Sequence, residues 1–200
     1  MNKNKEIIDK IIRINSTISN FWSNSYGWAP IEAANLMNKA RLDWQVSLSK
    51  CLQLWLCNNI SEYEDGGLIL AWTNLGSLIE GTLKLFLSVF YKDYEEDIKS
   101  NLGKINEKDY KYLKNYLDKK NMKEPDGLEL SQLILFFDKR NIWSQEWEKE
   151  FVKKVQKYRN TIHAYKDREL GTIKEFEDCV QKYLTMLESF YNRLPHADNI

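Results

Sequence analysis

The most apolar stretch of the chain covers residues 67–91 and reads GLILAWTNLGSLIEGTLKLFLSVFY. It is long enough to cross a bilayer, but Asn74, Glu80 and Lys84 interrupt its middle, where each charge costs roughly 3 kcal/mol. We therefore predict a buried helix of a globular protein rather than a membrane span. Apolar residues cover most of its circumference, which places the helix at the centre of the fold. The main apolar stripe consists of Leu68, Trp72, Leu75, Ile79, Leu83, Phe86 and Phe90.

The polar residues of this helix are confined to a narrow polar strip, for which two interpretations stay open. In the first, the strip faces solvent and carries an ordinary i,i+4 ion pair between Glu80 and Lys84. In the second, the strip lines a cleft into which Arg159 and His163 of another helix point, and Glu80 holds a catalytic cation in place. The polar strip consists of Asn74, Ser77, Glu80, Gly81, Lys84 and Ser88.

The last part of the chain has the most regular helical pattern. Apolar residues step by three or four along residues 147–165 and again along residues 173–194, which predicts an antiparallel pair of helices. Ser144 is the predicted N-cap of the first helix, and Thr172 with Glu175 predicts a capping box for the second. The inward residues are Trp147, Phe151, Val155, Tyr158, Ile162 and Tyr165 in the first helix, and Ile173, Phe176, Val180, Tyr183, Leu187, Phe190 and Leu194 in the second.

The rest of the chain predicts further helices joined by polar or aromatic connections. Pro30 suits the first turn of a helix that continues to about Cys57 and buries Trp44. The sequence EPDG at residues 124–127 is the clearest turn signal, and residues 93–97 form a solvated helix end. The other predicted helices cover residues 4–20, 107–120 and 128–141, and the acidic, glycine-ended residues 58–67 are a predicted connection. The predicted fold is all-α, an antiparallel helical bundle of about six to seven helices, in which residues 66–200 form the bundle and residues 1–65 pack on it or extend it.

Composition limits the classes of function. The 200 residues are 43% apolar and 13% aromatic, which favours a globular chain, and 29 basic against 29 acidic residues give zero net charge. Any contact with nucleic acid must therefore be local. The three cysteines lack metal-ligand spacing and the N-terminus does not resemble a signal peptide, so we expect a cytoplasmic protein without a bound metal, cofactor or membrane contact.

The sequence RNTIHAY at residues 159–165 carries the strongest chemical signal. In a continuous helix Arg159 and His163 would project side by side, with β-carbons about 5–6 Å apart. Arginine is a permanent cation and histidine carries protons near neutral pH, so the pair could hold a phosphate and move a proton beside it. That combination is the minimum needed to cut RNA without a metal.

The surroundings of the pair allow a second interpretation. Residues 139–168 contain nine basic and four acidic side chains, a local surplus of five that gives positive potential near the motif. A charged helix face is often only solvated, however, and cations are favoured at the C-terminal end of a helix by its macrodipole. An Arg–His pair can therefore also be an ordinary helix ending.

The arrangement resembles the HEPN (higher eukaryotes and prokaryotes nucleotide-binding) superfamily: Arg-Asn is followed closely by His near the end of one amphipathic helix, and a long last helix follows. That superfamily is all-α and commonly dimeric, and it includes metal-independent RNases of toxin–antitoxin, CRISPR-associated and antiphage systems alongside non-catalytic members. The resemblance implies Arg159 as the transition-state cation, His163 as the general acid or base, and Asn160 as the polar residue after the arginine. The family usually leaves four to six residues between Arg and His, whereas this chain leaves three.

Two main functions follow from this resemblance. The first is an endoribonuclease that acts on single-stranded RNA, with two copies of the motif in one groove of a homodimer because one pair offers only one acid–base group. The alternative is a non-catalytic helical module that binds a nucleotide or a partner protein, such as an antitoxin or a defence-system component. A purely structural dimer is a third interpretation. The candidate substrate-binding or orienting residues are Asn160, Tyr165, Lys166, Glu80 and Lys84.

Overall fold

The computed structural model describes residues 3–57, 64–102, 111–118, 121–163 and 165–195. In these residues the chain folds as an all-α bundle, which confirms the predicted class. Short 3₁₀ turns occupy residues 114–116, 125–127 and 160–162. Two short strands, β1 Leu117–Asp118 and β2 Asn121–Met122, pair antiparallel. The α-helices are α1 Lys3–Trp22, α2 Ile31–Lys39, α3 Leu42–Leu56, α4 Glu64–Val89, α5 Tyr91–Leu102, α6 Leu130–Lys139, α7 Glu146–Arg159 and α8 Ile173–Arg193.

Helix α4 lies at the centre of the bundle, as its apolar circumference predicts. It contacts α2, α3, α5, α6, α7 and α8. The predicted stripe from Leu68 to Phe86 is buried, and Phe90 just beyond the helix is partly buried. Trp72 is fully buried, with its ring 4.7 Å from that of Tyr158 and 5.1 Å from that of Phe176. None of the helices in the described ranges is both long and apolar enough to cross a membrane.

Helices α7 and α8 form the predicted antiparallel pair. At one end Lys154 Nζ lies 2.7 Å from Glu175 Oε1, and at the other Arg193 Nη1 donates to the Ile142 carbonyl at 2.9 Å. The predicted capping box is confirmed, because Glu175 N donates to Thr172 Oγ1 and Thr172 N donates to Glu175 Oε2. Burial along α8 follows the predicted stripe except at Ile173, which is exposed.

The predicted N-cap of α7 is wrong. Gln145 occupies the N-cap position, and the backbone N–H of Ser144 instead donates to the Glu148 carboxylate at 2.8 Å. The Ser144 hydroxyl accepts from Arg193 Nη1 at 2.9 Å. Ser144 therefore joins the start of α7 to the end of α8 rather than capping a helix.

The helix predicted from residue 30 to residue 57 is broken into α2 and α3. The backbone extends at Ala40 (φ −69°, ψ 136°), and Arg41 at φ −94° and ψ 65° precedes the restart. The break allows α2 to pack on α4 and α5 while α3 packs between α1 and α4. Trp44, expected inside, is 58% exposed, because the restarted helix turns it outward. No glycine or proline marks this break, so tertiary packing decides it.

Smaller differences concern the middle of the chain. Residues 121–127, predicted as one turn, begin as strand β2 and end in the 3₁₀ turn at residues 125–127. Asp97, predicted to be solvated, has a mostly buried side chain that lies 2.5 Å from Arg140 Nη2. Of the helix predicted at residues 107–120, residues 111–113 are helical and Tyr112 and Tyr116 point inward. Residues 107–110 and 119–120 of that prediction lie outside the described residues, and Leu117–Asp118 form β1 instead of helix. The connection predicted at residues 58–67 is wrong at residues 64–67, which belong to α4, and residues 58–63 lie outside the described residues.

Candidate functional site

Arg159 is the last residue of α7, and its side chain lies against the middle of α4. Its Nη1 donates to Glu80 Oε2 across the two helices. One turn earlier on α4, a β-carbon on Gly76 would lie 2.6 Å from Arg159 Cδ and 3.2 Å from Arg159 Cβ. The missing side chain at Gly76 therefore allows the arginine to lie flat on α4 and reach Glu80.

Glu80 is shared by two cations. Its other oxygen lies 2.8 Å from Lys84 Nζ, which also donates to the Asp126 carbonyl at 2.9 Å. The Glu80 side chain is only 18% exposed. Burial raises the pKa of Glu80, but the hydrogen bonds and charges of Lys84 and Arg159 outweigh burial, so the pKa lies below its ordinary value of 4.5. Both interpretations of the polar strip hold in part: the i,i+4 pair exists, and Glu80 also holds a cation from another helix.

The polar strip lines a cavity of about 510 Å³ between α2, α3 and α4, which we call the α2–α4 cavity. Gln45 of α3 reaches across it, and its Nε2 donates to the Leu78 carbonyl at 2.7 Å. A β-carbon on Gly81 would lie 2.4 Å from Gln45 Oε1, so this second glycine makes room for the amide. Asn74 differs from the rest of the strip, because it bonds Trp55 Nε1 at 3.0 Å and does not line the cavity.

The opposite wall of the α2–α4 cavity was not predicted from the sequence. Arg41 pairs with Asp43 through two hydrogen bonds of 2.8 and 2.6 Å, and its guanidinium carbon lies 4.0 Å from the ring centroid of Trp44.

The sequence feature that indicates a close approach to α4 is the presence of Gly76 and Gly81 inside an apolar helix. Each costs about 1 kcal/mol relative to alanine, which indicates that something must approach the backbone closely.

The predicted side-by-side placement of Arg159 and His163 on one helix is wrong. Helix α7 ends at Arg159, residues 160–162 form a 3₁₀ turn, and His163 leaves the helical region at φ −85° and ψ 76°. Thr161 Oγ1 donates to the Tyr158 carbonyl at 2.6 Å, which satisfies an acceptor that a longer helix would have used. The apolar stripe therefore stops at Tyr158.

The residues after the turn lie at the surface. Ile162, expected in the core, is exposed, and Tyr165 is fully exposed. His163 and Lys166 are also exposed, and neither lines the α2–α4 cavity, so the prediction that His163 points into the cleft of the polar strip is wrong. Asn160 is partly buried, and its carbonyl accepts from Arg168 Nη1 at 2.9 Å. The structure thus brings together Arg159, Glu80 and Lys84 and places His163, Tyr165 and Lys166 on the adjoining surface.

No protein-family model, curated protein or solved structure matches the chain. Within the ranges that the structure describes, no group of three or more His, Cys, Asp or Glu side chains is placed to hold a metal ion. The resemblance to the HEPN superfamily stays a prediction from the residues around Arg159 and His163.

Replacing Gly76 with alanine tests the packing of Arg159 on α4. We expect Gly76→Ala to lower the free energy of unfolding by about 1–3 kcal/mol, because the new β-carbon must displace the arginine. At an ordinary helix position the same change raises stability by about 1 kcal/mol. Gly66→Ala is the matched control on α4, since nothing lies within 4 Å of its β-carbon. Urea denaturation of both variants decides the sign, and a stabilising Gly76→Ala would contradict the contact.

The shared carboxylate predicts a specific pH dependence of stability. Because the folded pKa of Glu80 is depressed, its contribution is present above the ordinary value of 4.5 and is lost as pH falls through the folded value. Wild type should therefore lose more stability than Glu80→Gln as pH falls from about 5 toward 2. Denaturation midpoints across this range measure the difference, and parallel curves for the two proteins would exclude the stabilised carboxylate.

Proposed function

We propose that the chain is a HEPN-like, metal-independent endoribonuclease of toxin or antiphage-defence type that acts at a homodimer interface. The observation that supports this proposal best is that one motif side chain is held by an ion pair and the other is exposed to solvent. Arg159 is held in place by Glu80 of α4, whereas His163 lies exposed in the turn that follows. A fixed cation four positions before an accessible imidazole suits a phosphodiester that approaches from solvent.

Arg159 supplies the positive charge. A guanidinium carries five N–H donors, and Glu80 accepts from Nη1, so the other nitrogens offer donors to a phosphate. The arginine is partly buried, and a cation removed from bulk water interacts more strongly with an anion. Its role is to stabilise the additional negative charge on phosphorus as the new P–O bond forms.

His163 moves the proton. The imidazole takes the proton of a ribose 2′-hydroxyl, the 2′-oxygen attacks phosphorus, and the bond to the 5′-oxygen breaks. The leaving 5′-oxygen needs a proton from a second group, which a second copy of the motif supplies in a two-fold dimer. The products are a 2′,3′-cyclic phosphate and a 5′-hydroxyl end. Asn160, Tyr165 and Lys166 surround His163 in the chain and are the proposed contacts to substrate.

The test uses purified protein and a labelled single-stranded RNA in EDTA. The expected result is cleavage that leaves 2′,3′-cyclic phosphate ends, together with a dimeric mass by light scattering. RNA that stays intact with both wild type and His163→Ala would overturn the RNase proposal. Cleavage by a monomer would overturn the composite site alone.

The second candidate function is a non-catalytic module that binds a nucleotide or a partner protein. It is favoured by one observation: Arg159 lines the α2–α4 cavity with Glu80, and His163 does not. Under this interpretation binding is unchanged in His163→Ala and is weakened in Arg159→Met, while RNA stays intact throughout. The same two variants therefore separate the two functions.

A further inference from the structure

The α2–α4 cavity combines an apolar wall with a charged floor. Its volume of about 510 Å³ lies within the range of cavities that hold small organic ligands. The floor is formed by Glu80, Lys84 and Arg159, whose side chains are each less than one-third exposed. The apolar wall consists of Leu36, Met37, Leu42, Trp44, Leu48 and Leu85.

The charges that line this cavity do not balance. Four cationic side chains, those of Lys39, Arg41, Lys84 and Arg159, face two acidic residues, Glu80 and Asp126, which leaves a surplus of two positive charges. Two of these cations lie at the rim and have outside partners, because Lys39 pairs with Glu124 at 3.1 Å and Arg41 pairs with Asp43. With these outside carboxylates counted, the lining has no net surplus of charge, and the pairing of the two floor cations decides the electrostatics of the cavity.

The floor cations share a single carboxylate. Glu80 binds both Lys84 and Arg159, and Asp126 is exposed and meets Lys84 through its backbone oxygen. One positive charge thus lacks a carboxylate of its own in a partly buried place, where an uncompensated charge is costly. An anionic group from outside would remove that cost, and the apolar wall would bury the rest of the same molecule.

We propose that the α2–α4 cavity binds a small molecule that has one anionic group and an apolar body of aromatic size. The anion lies against Lys84 and Arg159, and the body packs against Trp44 and the leucines of the wall. Trp44 is suited to this role because it is the exposed aromatic ring of the lining. This inference goes beyond the proposed RNase activity and does not depend on it, since binding is measured without RNA.

A matched pair of fluorescent probes tests the proposal on the full chain. The probe 8-anilino-1-naphthalenesulfonate carries one sulfonate, and N-phenyl-1-naphthylamine has the same aromatic body without the charge. The anionic probe is expected to bind one site at least about 10-fold more tightly, which corresponds to about 1.4 kcal/mol. Equal affinities for the two probes would overturn the proposal.

Variants locate the bound anion. Lys84→Met is expected to weaken the anionic probe by about 10-fold and to leave the neutral probe within about twofold, which also shows that the cavity is intact. Trp28→Ala, in a separate cavity of about 400 Å³ near Trp22, is the control and should change neither affinity. Binding that Trp28→Ala weakens and Lys84→Met does not would overturn the assignment.

A measurement on wild type keeps the test independent of folding in the variants. In ¹H–¹⁵N spectra, the anionic probe should shift the amide signals of Gly81 and Lys84 and the side-chain amide of Gln45. Shifts centred on residues outside the α2–α4 cavity would overturn the proposal even where Lys84→Met is unstable.

Discussion

Replacing His163 with alanine is expected to lower the rate of RNA cleavage in EDTA by about 10²–10⁴-fold, the range contributed by a positioned proton donor or acceptor. The free energy of unfolding should change by less than about 0.5 kcal/mol. His163 is exposed, and the hydrogen bonds described for it are made by its backbone. Initial rates and urea denaturation of the same preparation measure both quantities.

Two further variants sharpen this prediction. Arg159→Met should lower both the cleavage rate and the stability, because it removes the cation and leaves Glu80 with one partner fewer. Lys153→Ala, an exposed position on α7 that pairs with Glu150, should leave the cleavage rate within about twofold of wild type. A His163→Ala protein that cleaves as fast as wild type would eliminate the assigned role of the imidazole.

Replacing Trp72 with alanine is expected to lower the free energy of unfolding by about 3–5 kcal/mol, the cost typical of emptying an aromatic core position. The ring lies where α4 crosses α7 and α8 and contacts Tyr158 and Phe176, so the vacated volume cannot close without moving two helices. Domains are usually stable by only about 5–15 kcal/mol, which makes this loss a large fraction of the total.

The control for Trp72 lies two residues away on the same helix. Leu70 is 50% exposed, and Leu70→Ala should cost less than about 1 kcal/mol. Urea denaturation followed by circular dichroism compares the two variants under identical conditions. Similar losses for both would contradict the central position of α4 in the bundle.

The central helix and the last two helices were predictable because burial repeats along a helix with a period that the sequence displays directly. Leu68, Trp72 and Leu75 on α4, and Phe176 and Val180 on α8, lie where their spacing places them. The break between α2 and α3 was not predictable, because its cause is the packing of two segments on different neighbours. The local sequence does not record which neighbouring helices a segment will pack against.

The candidate site was predictable only in part. The contact between Glu80 and Arg159 was one of two open interpretations, and it joins residues 79 positions apart. The end of α7 was missed because Ile162 and Tyr165 continue the apolar spacing, while the competing hydrogen bond from Thr161 to the Tyr158 carbonyl is a property of the folded turn. Gln45 of α3 bonds the carbonyl of Leu78, 33 positions later in the chain, and no spacing along the sequence indicates that contact.

Because α7 ends at Arg159, the length of the segment between Arg159 and His163 can change without disturbing the helix. The regular hydrogen-bond ladder ends there, so a residue inserted between Ile162 and His163 would change the reach of the imidazole without shifting Val155 or Tyr158 in the core. The number of residues between arginine and histidine is therefore a loop length. A variant of this chain with extra residues between Ile162 and His163 is expected to keep Arg159 packed against Gly76 and to move the imidazole alone.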